Sequence, residues 1–170
     1  KDNRKISFNH FNFHTNKTRK YSLKPYLLKA YENRWYVVGL IGNLKEFRTF
    51  GIERIEDLEV KTETFVPNKN LNPSERFNNT IGIVYNASTV QTIILSFTAN
   101  QGNYVKTLPL HPSQHVLVDN ESEYRVSLEV VPNYELIQQI LKHGDTVKVV
   151  EPEWLVDEIK ESLQRAIEKY

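Results

Sequence analysis

The stretch RWYVVGLIGNLKEFRTFGIERI, residues 34–55, decides the fold of the first half of the chain. Its apolar and aromatic runs, interrupted by Gly42-Asn43, predict two β-strands joined by a turn and then a third strand. Residues two apart in a strand share a face, so Arg48 is expected beside Phe50. A buried guanidinium without a partner is very costly, so Arg48 and Arg54 need either solvent or an anion.

Short strands continue on both sides of this stretch. Alternating residues predict strands over 5–13 and 55–66, and a further extended segment over 21–31, in which Pro25 indicates an edge or a bulge. No helix is predicted before residue 66, and a closed barrel would remove the edges of such a sheet. We expect a small β-barrel over residues 1–66, with four aromatic residues in its core: Trp35, Tyr36, Phe47 and Phe50.

The pattern changes after a polar linker over residues 67–80. Residues 81–170 predict strands and helices in the order β-α-β-β-α-β, followed by a terminal helix, which is the ferredoxin-like order. Asn133 is expected to cap the second helix, and Pro152 to start the last one. The whole chain is therefore predicted to be α+β, with a barrel followed by an α/β sandwich domain.

Charge divides the chain unevenly. Residues 1–54 hold 12 Lys/Arg and 4 Asp/Glu, a net charge of +8, whereas residues 55–170 hold 10 and 17, a net charge of −7. A basic segment of this kind suggests contact with an anion. Two alternatives stay open at this stage: the basic strands face water, or the two halves pair with each other.

The composition indicates in which cellular compartment the protein is expected. No apolar run approaches the length of about 20 residues that a membrane-spanning helix needs, so no membrane association is expected. No signal peptide is visible, and the absence of cysteine is compatible with the cytoplasm. The chain begins with Lys1 and contains no methionine. We therefore expect a segment of a longer protein.

No constellation of residues for catalysis can be assembled. The chain has no cysteine nucleophile, no G-x-S-x-G and no glycine-rich phosphate loop. His10 and His14 would lie about 13 Å apart along a strand, too far to bind one metal ion. We expect no enzyme activity, no metal site and no cofactor. For Arg48 and Arg54, the alternative to an anion site is a surface position or an ion pair with Glu46 or Glu53.

The residues W-Y-V at 35–37 and F-R-T-F-G-I-E-R-I at 47–55 resemble the WYL-domain family. The family pattern places a proline-led strand first, here at Pro25, and then an Arg-x-Phe-x-x-x-Arg-Ile strand, here Arg48 to Ile55. The second half is similar to the C-terminal extension that often follows a WYL domain. Its matching pieces are Phe77 to Gly82, LHPSQ at 110–114, the helix before Gly144, VKVVEP at 147–152 and the helix that begins with Trp154-Leu155.

The resemblance implies an Sm-like, SH3-type barrel that senses a ligand or a nucleic acid. By position, it assigns the basic pocket of the family to four residues: His10, Tyr36, Arg48 and Arg54. Three positions depart from the pattern. Val37 replaces the leucine of the family name, His10 stands where tyrosine is common, and Gly51 stands where a further arginine is often found.

The sequence is interpreted as the effector-sensing part of a cytoplasmic bacterial transcription regulator. Its partners would be an anionic, nucleotide-like effector, a second copy of the chain, and DNA through an upstream helix-turn-helix domain. The alternative is a module that binds single-stranded nucleic acid directly, in defence or RNA metabolism.

Overall fold

The computed structural model describes residues 2–42, 46–85 and 88–170 and divides the chain into two compact units, 1–78 and 79–170. The protein is α+β, with two antiparallel sheets and three α-helices among the described residues. No helix within those residues is long and apolar enough to cross a bilayer. The predicted linker, 67–80, falls across the division between the units.

The first unit is built on one five-stranded sheet. Its strands are β1 (Arg4–Asn12), β2 (Lys17–Tyr31), β3 (Arg34–Ile41), β4 (Phe47–Gly51) and β5 (Ile55–Thr64). They lie in the order β4-β3-β2-β1-β5, and every neighbouring pair is antiparallel. A short 3-10 turn, Glu75–Phe77, follows later in the unit.

The turns of this sheet show why the strand bounds differ from the prediction. Asn12 accepts hydrogen bonds from the backbone N–H groups of His14 and Thr15, and Asn16 has a positive φ of 53°. These contacts close a tight turn, so β2 already begins at Lys17 instead of at residue 21. Of the turn predicted at Gly42-Asn43, only Gly42 lies within the described residues.

Pro25 marks an irregularity in the pairing of β2 with β3. The register shifts between Pro25 and Leu27, as a β-bulge requires, although β2 is a central strand and not an edge. A proline has no N–H to donate to the ladder, which explains why the bulge lies at this point.

The core of the first unit contains Phe8, Leu23, Val37 and Phe50, with Val37 directly opposite Phe50. Of the four aromatic residues predicted to lie in the core, Tyr36 and Phe50 are buried and Phe47 is half-buried. The prediction for Trp35 was wrong, because 56% of its surface is exposed. Trp35 shares a face with the core residue Val37, so alternation does not explain its exposure, and burial in β3 begins only at Tyr36.

The third strand predicted within the stretch 34–55 was also wrong at its beginning. Residues Ile52–Arg54 form a 3-10 turn, closed by a hydrogen bond from the Ile55 N–H to the Ile52 carbonyl. Arg54 therefore belongs to a tight turn between β4 and β5 and not to a strand. The rule that alternate residues of a strand share a face therefore does not apply to Arg54.

Strand β5 brings acidic side chains against β1. Lys5 pairs with Glu63, and Asn9 donates to Asp57 at 2.7 Å. The boundary in charge at residue 54 therefore lies inside the first unit, where a basic strand and an acidic strand are neighbours.

The second unit is built on a four-stranded sheet. Its elements are β6 (Gln91–Thr98), α1 (Ala99–Thr107), β7 (His115–Asp119), β8 (Glu123–Val130), α2 (Tyr134–Leu141), β9 (Val147–Glu151) and α3 (Glu153–Ile167), with a 3-10 turn at Gly144–Thr146. The strand order is β7-β8-β6-β9, antiparallel throughout. The element order is the one predicted from the sequence.

All three helices contribute to the core of this unit. Alternate residues of β6 and β8 are buried together with one face of α2, which carries Leu136 and Ile140. Gly102 allows α1 to approach β8, because a Cβ at this position would lie 2.3 Å from the Cβ of Tyr124. The glycine that weakens the helix in the sequence is therefore required by packing.

The predicted caps of the later helices are confirmed. The Asn133 side chain accepts a hydrogen bond from the Leu136 N–H at 2.8 Å, and Pro152 precedes the first residue of α3. Both features fix where a helix begins.

Candidate anion-binding site

His10 lies near the end of β1 in an aromatic surround. Only 7% of its surface is exposed, and its ring packs edge-on against Phe50 at a centroid distance of 5.1 Å. The ring centroids of Tyr21 and Phe8 lie 6.3 and 6.5 Å from that of His10. Within the described part of the chain, its Nε2 atom has no hydrogen-bond partner. A buried polar atom in this state retains a free capacity to donate or accept a hydrogen bond.

Arg54 reaches the same region from the 3-10 turn. Its guanidinium lies 5.0 Å from the centroid of the Phe13 ring, and its side chain is 24% exposed. The Nε atom is buried and makes no hydrogen bond among the described residues. A guanidinium on an aromatic face keeps its charge and its forked donors available for an oxyanion.

Glu53 supplies the acidic group of the site. One of its carboxylate oxygens lies 3.6 Å from Nε of Arg54 and 3.6 Å from Nη1 of Arg34. These distances are ion pairs but exceed the usual hydrogen-bond length of about 2.9 Å. The alternative that Arg54 pairs with Glu53 is thus present in the structure, but it leaves the Nε donor of Arg54 unused.

The electrostatics of the three groups are linked. Burial lowers the pKa of His10 below its ordinary value, the positive charge of Arg54 lowers it further, and the carboxylate of Glu53 acts in the opposite direction. His10 is therefore neutral at pH 7, and an anion beside it would favour its protonated form.

The remaining predicted site residues lie at different depths. Tyr36 is buried on β3 directly opposite Gly51, the residue that precedes the 3-10 turn. Arg48 lies on β4 opposite Gly39 and is exposed. Three residues along a strand span about 10 Å, so Arg48 stands at that distance from the Gly51 level. The structure therefore brings His10 and Arg54 together, places Tyr36 near the turn, and leaves Arg48 farther along the strand.

Three contributors were not among the predicted site residues: Phe13, Arg34 and Glu53. Phe13 follows β1, and Arg54 precedes β5. Their contact depends on the pairing of these two strands, which lie far apart in the sequence. The sequence predicts Glu53 only as a possible ion-pair partner of Arg48 or Arg54. Gly51, two residues before Glu53, is the available signal, since a position without a side chain leaves room for another group.

A cavity of about 330 Å³ lies in the first unit, and its lining includes Ile52 and Ile55, which flank Glu53 and Arg54 in the sequence. Its lining is apolar apart from Tyr26, whose hydroxyl accepts a hydrogen bond from the Asn68 N–H at 3.2 Å. Such a lining offers nothing to balance a negative charge. The candidate anion site therefore rests on the cluster around His10 and not on this cavity.

The family models match both halves of the chain. Residues 1–60 match the WYL domain, and residues 89–167 match the WCX domain. A comparison with curated proteins finds no match.

Two solved structures resemble the chain. Proteasome accessory factor B/C (PafBC) of Arthrobacter aurescens is 21% identical, with a TM-score of 0.42, over 96% of this chain and 25% of that one. A CRISPR Cas-related protein is 13% identical, with a TM-score of 0.57, over 99% of this chain and 48% of that one. The second comparison shows that this chain and the CRISPR Cas-related protein share a fold. The present chain spans less than half of either protein.

The two domain matches in succession cover most of the chain and agree with the resemblance predicted from W-Y-V and F-R-T-F-G-I-E-R-I. The chain belongs to the WYL-domain family. It carries a WYL domain followed by a WCX domain.

Proposed function

We propose that this chain is the effector-sensing part of a bacterial transcription regulator and that it binds an anionic, nucleotide-like effector beside His10 and Arg54. One observation carries the proposal. Two buried nitrogen atoms, Nε2 of His10 and Nε of Arg54, lack a hydrogen-bond partner in the described chain, and the groups are close enough for the charge of Arg54 to lower the pKa of His10.

Unsatisfied buried polar atoms cost free energy, so a pair of them in one place is explained best by a ligand that completes their bonds. A phosphate oxygen suits both atoms, because it accepts hydrogen bonds from an imidazole N–H and from a guanidinium. Tyr36 would supply a further polar contact near Gly51. Arg48 would act on a more distant part of an extended ligand.

The fold around this site is proposed to be an Sm-like barrel, followed by a ferredoxin-like domain. The barrel is supported by the five-strand order and by the 3-10 turn that links β4 to β5. The second assignment is supported by the order β7-β8-β6-β9, which is that of a split βαβ sheet.

The regulatory step is proposed to be a shift between conformations. An effector that binds one arrangement of the chain more tightly than another changes their populations. We propose that the chain acts in the cytoplasm as a homodimer with an upstream helix-turn-helix domain, because two half-sites on DNA are usually read by two subunits. The role is one of binding, with no catalytic step.

The test is a titration of the 170-residue chain with inorganic phosphate, a mononucleotide and a short labelled oligothymidylate at two salt concentrations. Arg54→Ala is expected to weaken binding of the preferred probe about tenfold or more, because it removes a charge-assisted hydrogen bond. Arg165→Ala is the matched control, since it removes the same charge from α3. Equal behaviour of Arg54→Ala, Arg165→Ala and the unchanged chain toward every probe would refute the anion site.

A second candidate function is direct binding of single-stranded nucleic acid. It is favoured by the hairpin of β1 and β2, where exposed Lys17, Arg19 and Lys20 accompany Phe11 and the exposed ring of Phe13. Basic and aromatic groups of this kind hold a strand by phosphate contacts and base stacking. Salt-sensitive binding of an oligonucleotide, without thermal stabilisation by a mononucleotide, would favour this candidate over small-molecule sensing.

A further inference from the structure

Glu53 lies between two arginines without a hydrogen bond to Nε of Arg54. Its carboxylate oxygen is 3.6 Å from both Arg34 and Arg54, and its side chain is 40% exposed. A carboxylate that fully satisfied a guanidinium would approach to about 2.8 Å. Glu53 therefore balances charge in the site while leaving the directional donor of Arg54 for another oxygen.

Gly51 is what allows this position of Glu53. A Cβ on Gly51 would lie 2.6 Å from one carboxylate oxygen of Glu53 and 2.9 Å from the other. The backbone of Gly51, with φ of −67° and ψ of 127°, is open to any residue. The absence of a side chain at position 51 thus makes space for the carboxylate and is not a requirement of the backbone.

The charges in contact at this point add up to a single positive charge. Arg34 and Arg54 each contribute one positive charge, Glu53 one negative charge, and His10 is neutral at pH 7. A phosphodiester group carries one negative charge and balances the set. A terminal phosphomonoester carries about −1.5 to −2 at pH 7, and its excess charge would face the carboxylate of Glu53.

We propose that Glu53, in the space left by Gly51, is a specificity-determining residue that makes the site prefer a singly charged phosphate group over a doubly charged one. This inference rests on the proposed anion site at His10 and Arg54. It predicts that removing the charge of Glu53, or pushing its carboxylate aside, relaxes the preference. A charge at ion-pair distance in a partly desolvated site is expected to change the affinity ratio about tenfold.

The experiment compares two probes on the 170-residue chain, thymidylyl-thymidine with its single diester and thymidine 5′-monophosphate. The unchanged chain should favour the diester. Glu53→Gln should increase the affinity for the monoester at least about tenfold more than the affinity for the diester. Gly51→Ala should shift the ratio in the same direction, because its methyl group displaces the end of a flexible side chain.

Two comparisons make the result specific to the site. Glu56→Gln removes an exposed acidic charge on β5, opposite Asn9, and should leave the ratio unchanged. The variant that combines Gly51→Ala with Glu53→Gln should match Glu53→Gln alone, because both changes act on the same carboxylate. Thermal melting of each variant confirms that it is folded.

The outcomes separate the two proposals. If Arg54→Ala weakens either probe but Glu53→Gln changes the ratio no more than Glu56→Gln does, the role of Glu53 is refuted and the anion site stands. If Arg54→Ala changes neither probe, the anion site fails, and the specificity proposal fails with it. A changed ratio in Glu53→Gln that Gly51→Ala reproduces supports the proposal.

Discussion

Two buried polar residues, one in each unit, differ in what surrounds them. Asn133 in the second unit donates to the carbonyls of Ile81 and Val84 at 2.8 and 2.9 Å and accepts from the Leu136 N–H at 2.8 Å. His10 in the first unit is equally buried, but its Nε2 atom has no partner in the described chain. A polar group that is fully bonded holds a fold together, whereas one that is left unbonded beside a cation is available to a ligand.

Two glycines show the same contrast. Gly102 faces the Cβ of Tyr124, which cannot move without disturbing a core residue. Gly51 faces the end of the Glu53 side chain, which is partly exposed and can swing away. The second unit uses its glycine for close packing, and the first unit uses its glycine to seat a charged group.

The largest effect on stability is expected from Asn133→Ala. The change removes an N-cap, which costs about 1 kcal/mol, and leaves two carbonyls without their donor, each worth about 1 kcal/mol or more. We expect the free energy of unfolding of the second unit to fall by about 3 kcal/mol. Urea denaturation followed by the fluorescence of Trp154, in a Trp35→Phe background, measures it.

Asn133→Asp is the control for that change. An aspartate keeps the acceptor for the Leu136 N–H but loses both donors to Ile81 and Val84. Its unfolding free energy should lie below that of the unchanged chain, because both carbonyls lose their donor. A loss below about 0.5 kcal/mol in Asn133→Ala would contradict the view that this network stabilises the unit.

A smaller effect is expected at the glycines. Gly102→Ala gains about 1 kcal/mol of helix propensity but forces its methyl group into Tyr124, at a cost of about 1–3 kcal/mol. We expect a net destabilisation of about 1 kcal/mol. Gly51→Ala should change stability by less than about 0.5 kcal/mol. Urea midpoints of the two variants measure the difference, and equal losses would remove the contrast between the glycines.

The smallest effect is expected in the pH dependence of the stability of the chain. Since the pKa of His10 is lowered in the folded chain, the unfolded chain binds more protons just below the ordinary value of about 6.5. The contribution of His10 to the free energy of unfolding is therefore fully present above that pH and decreases as the pH falls below it. His10→Phe should reduce this decrease, as measured by urea denaturation between pH 5 and 7.

That reduction is expected to be partial. Burial also lowers the pKa of His143, and the charge of Lys142 lowers it further, so a second histidine contributes a decrease of the same sign. His143→Phe is the matched comparison in the second unit. An unchanged pH dependence in His10→Phe would mean that His10 is solvated and not a buried neutral group.

Much of the second unit could be predicted from its sequence. Its strands and helices have strong periodicity and local caps, such as Asn133 and Pro152, and local signals fix where those elements begin. The first unit was harder, because its short strands depend on pairing between distant residues. The exposure of Trp35 and the 3-10 turn at Ile52–Arg54 leave no local signal in the sequence.

The candidate site was predicted in part. The resemblance named His10 and Arg54, which the structure brings together, and Tyr36, which lies near their turn; Arg48 stands farther along β4. The role of these residues in binding stays a prediction. Glu53 and Phe13 could not be assigned, because their contacts with Arg54 depend on a turn geometry that strand parity does not describe.

The most direct measurement of the central claim is an NMR titration of the His10 ring against pH, with and without the tightest-binding probe among the phosphate compounds above. The account predicts that the bound anion raises the pKa of His10 from its lowered value and shifts the Nε2 resonance, while the resonances of His143 stay unchanged. An identical titration of His10 in both samples, with the probe demonstrably bound, would contradict the account.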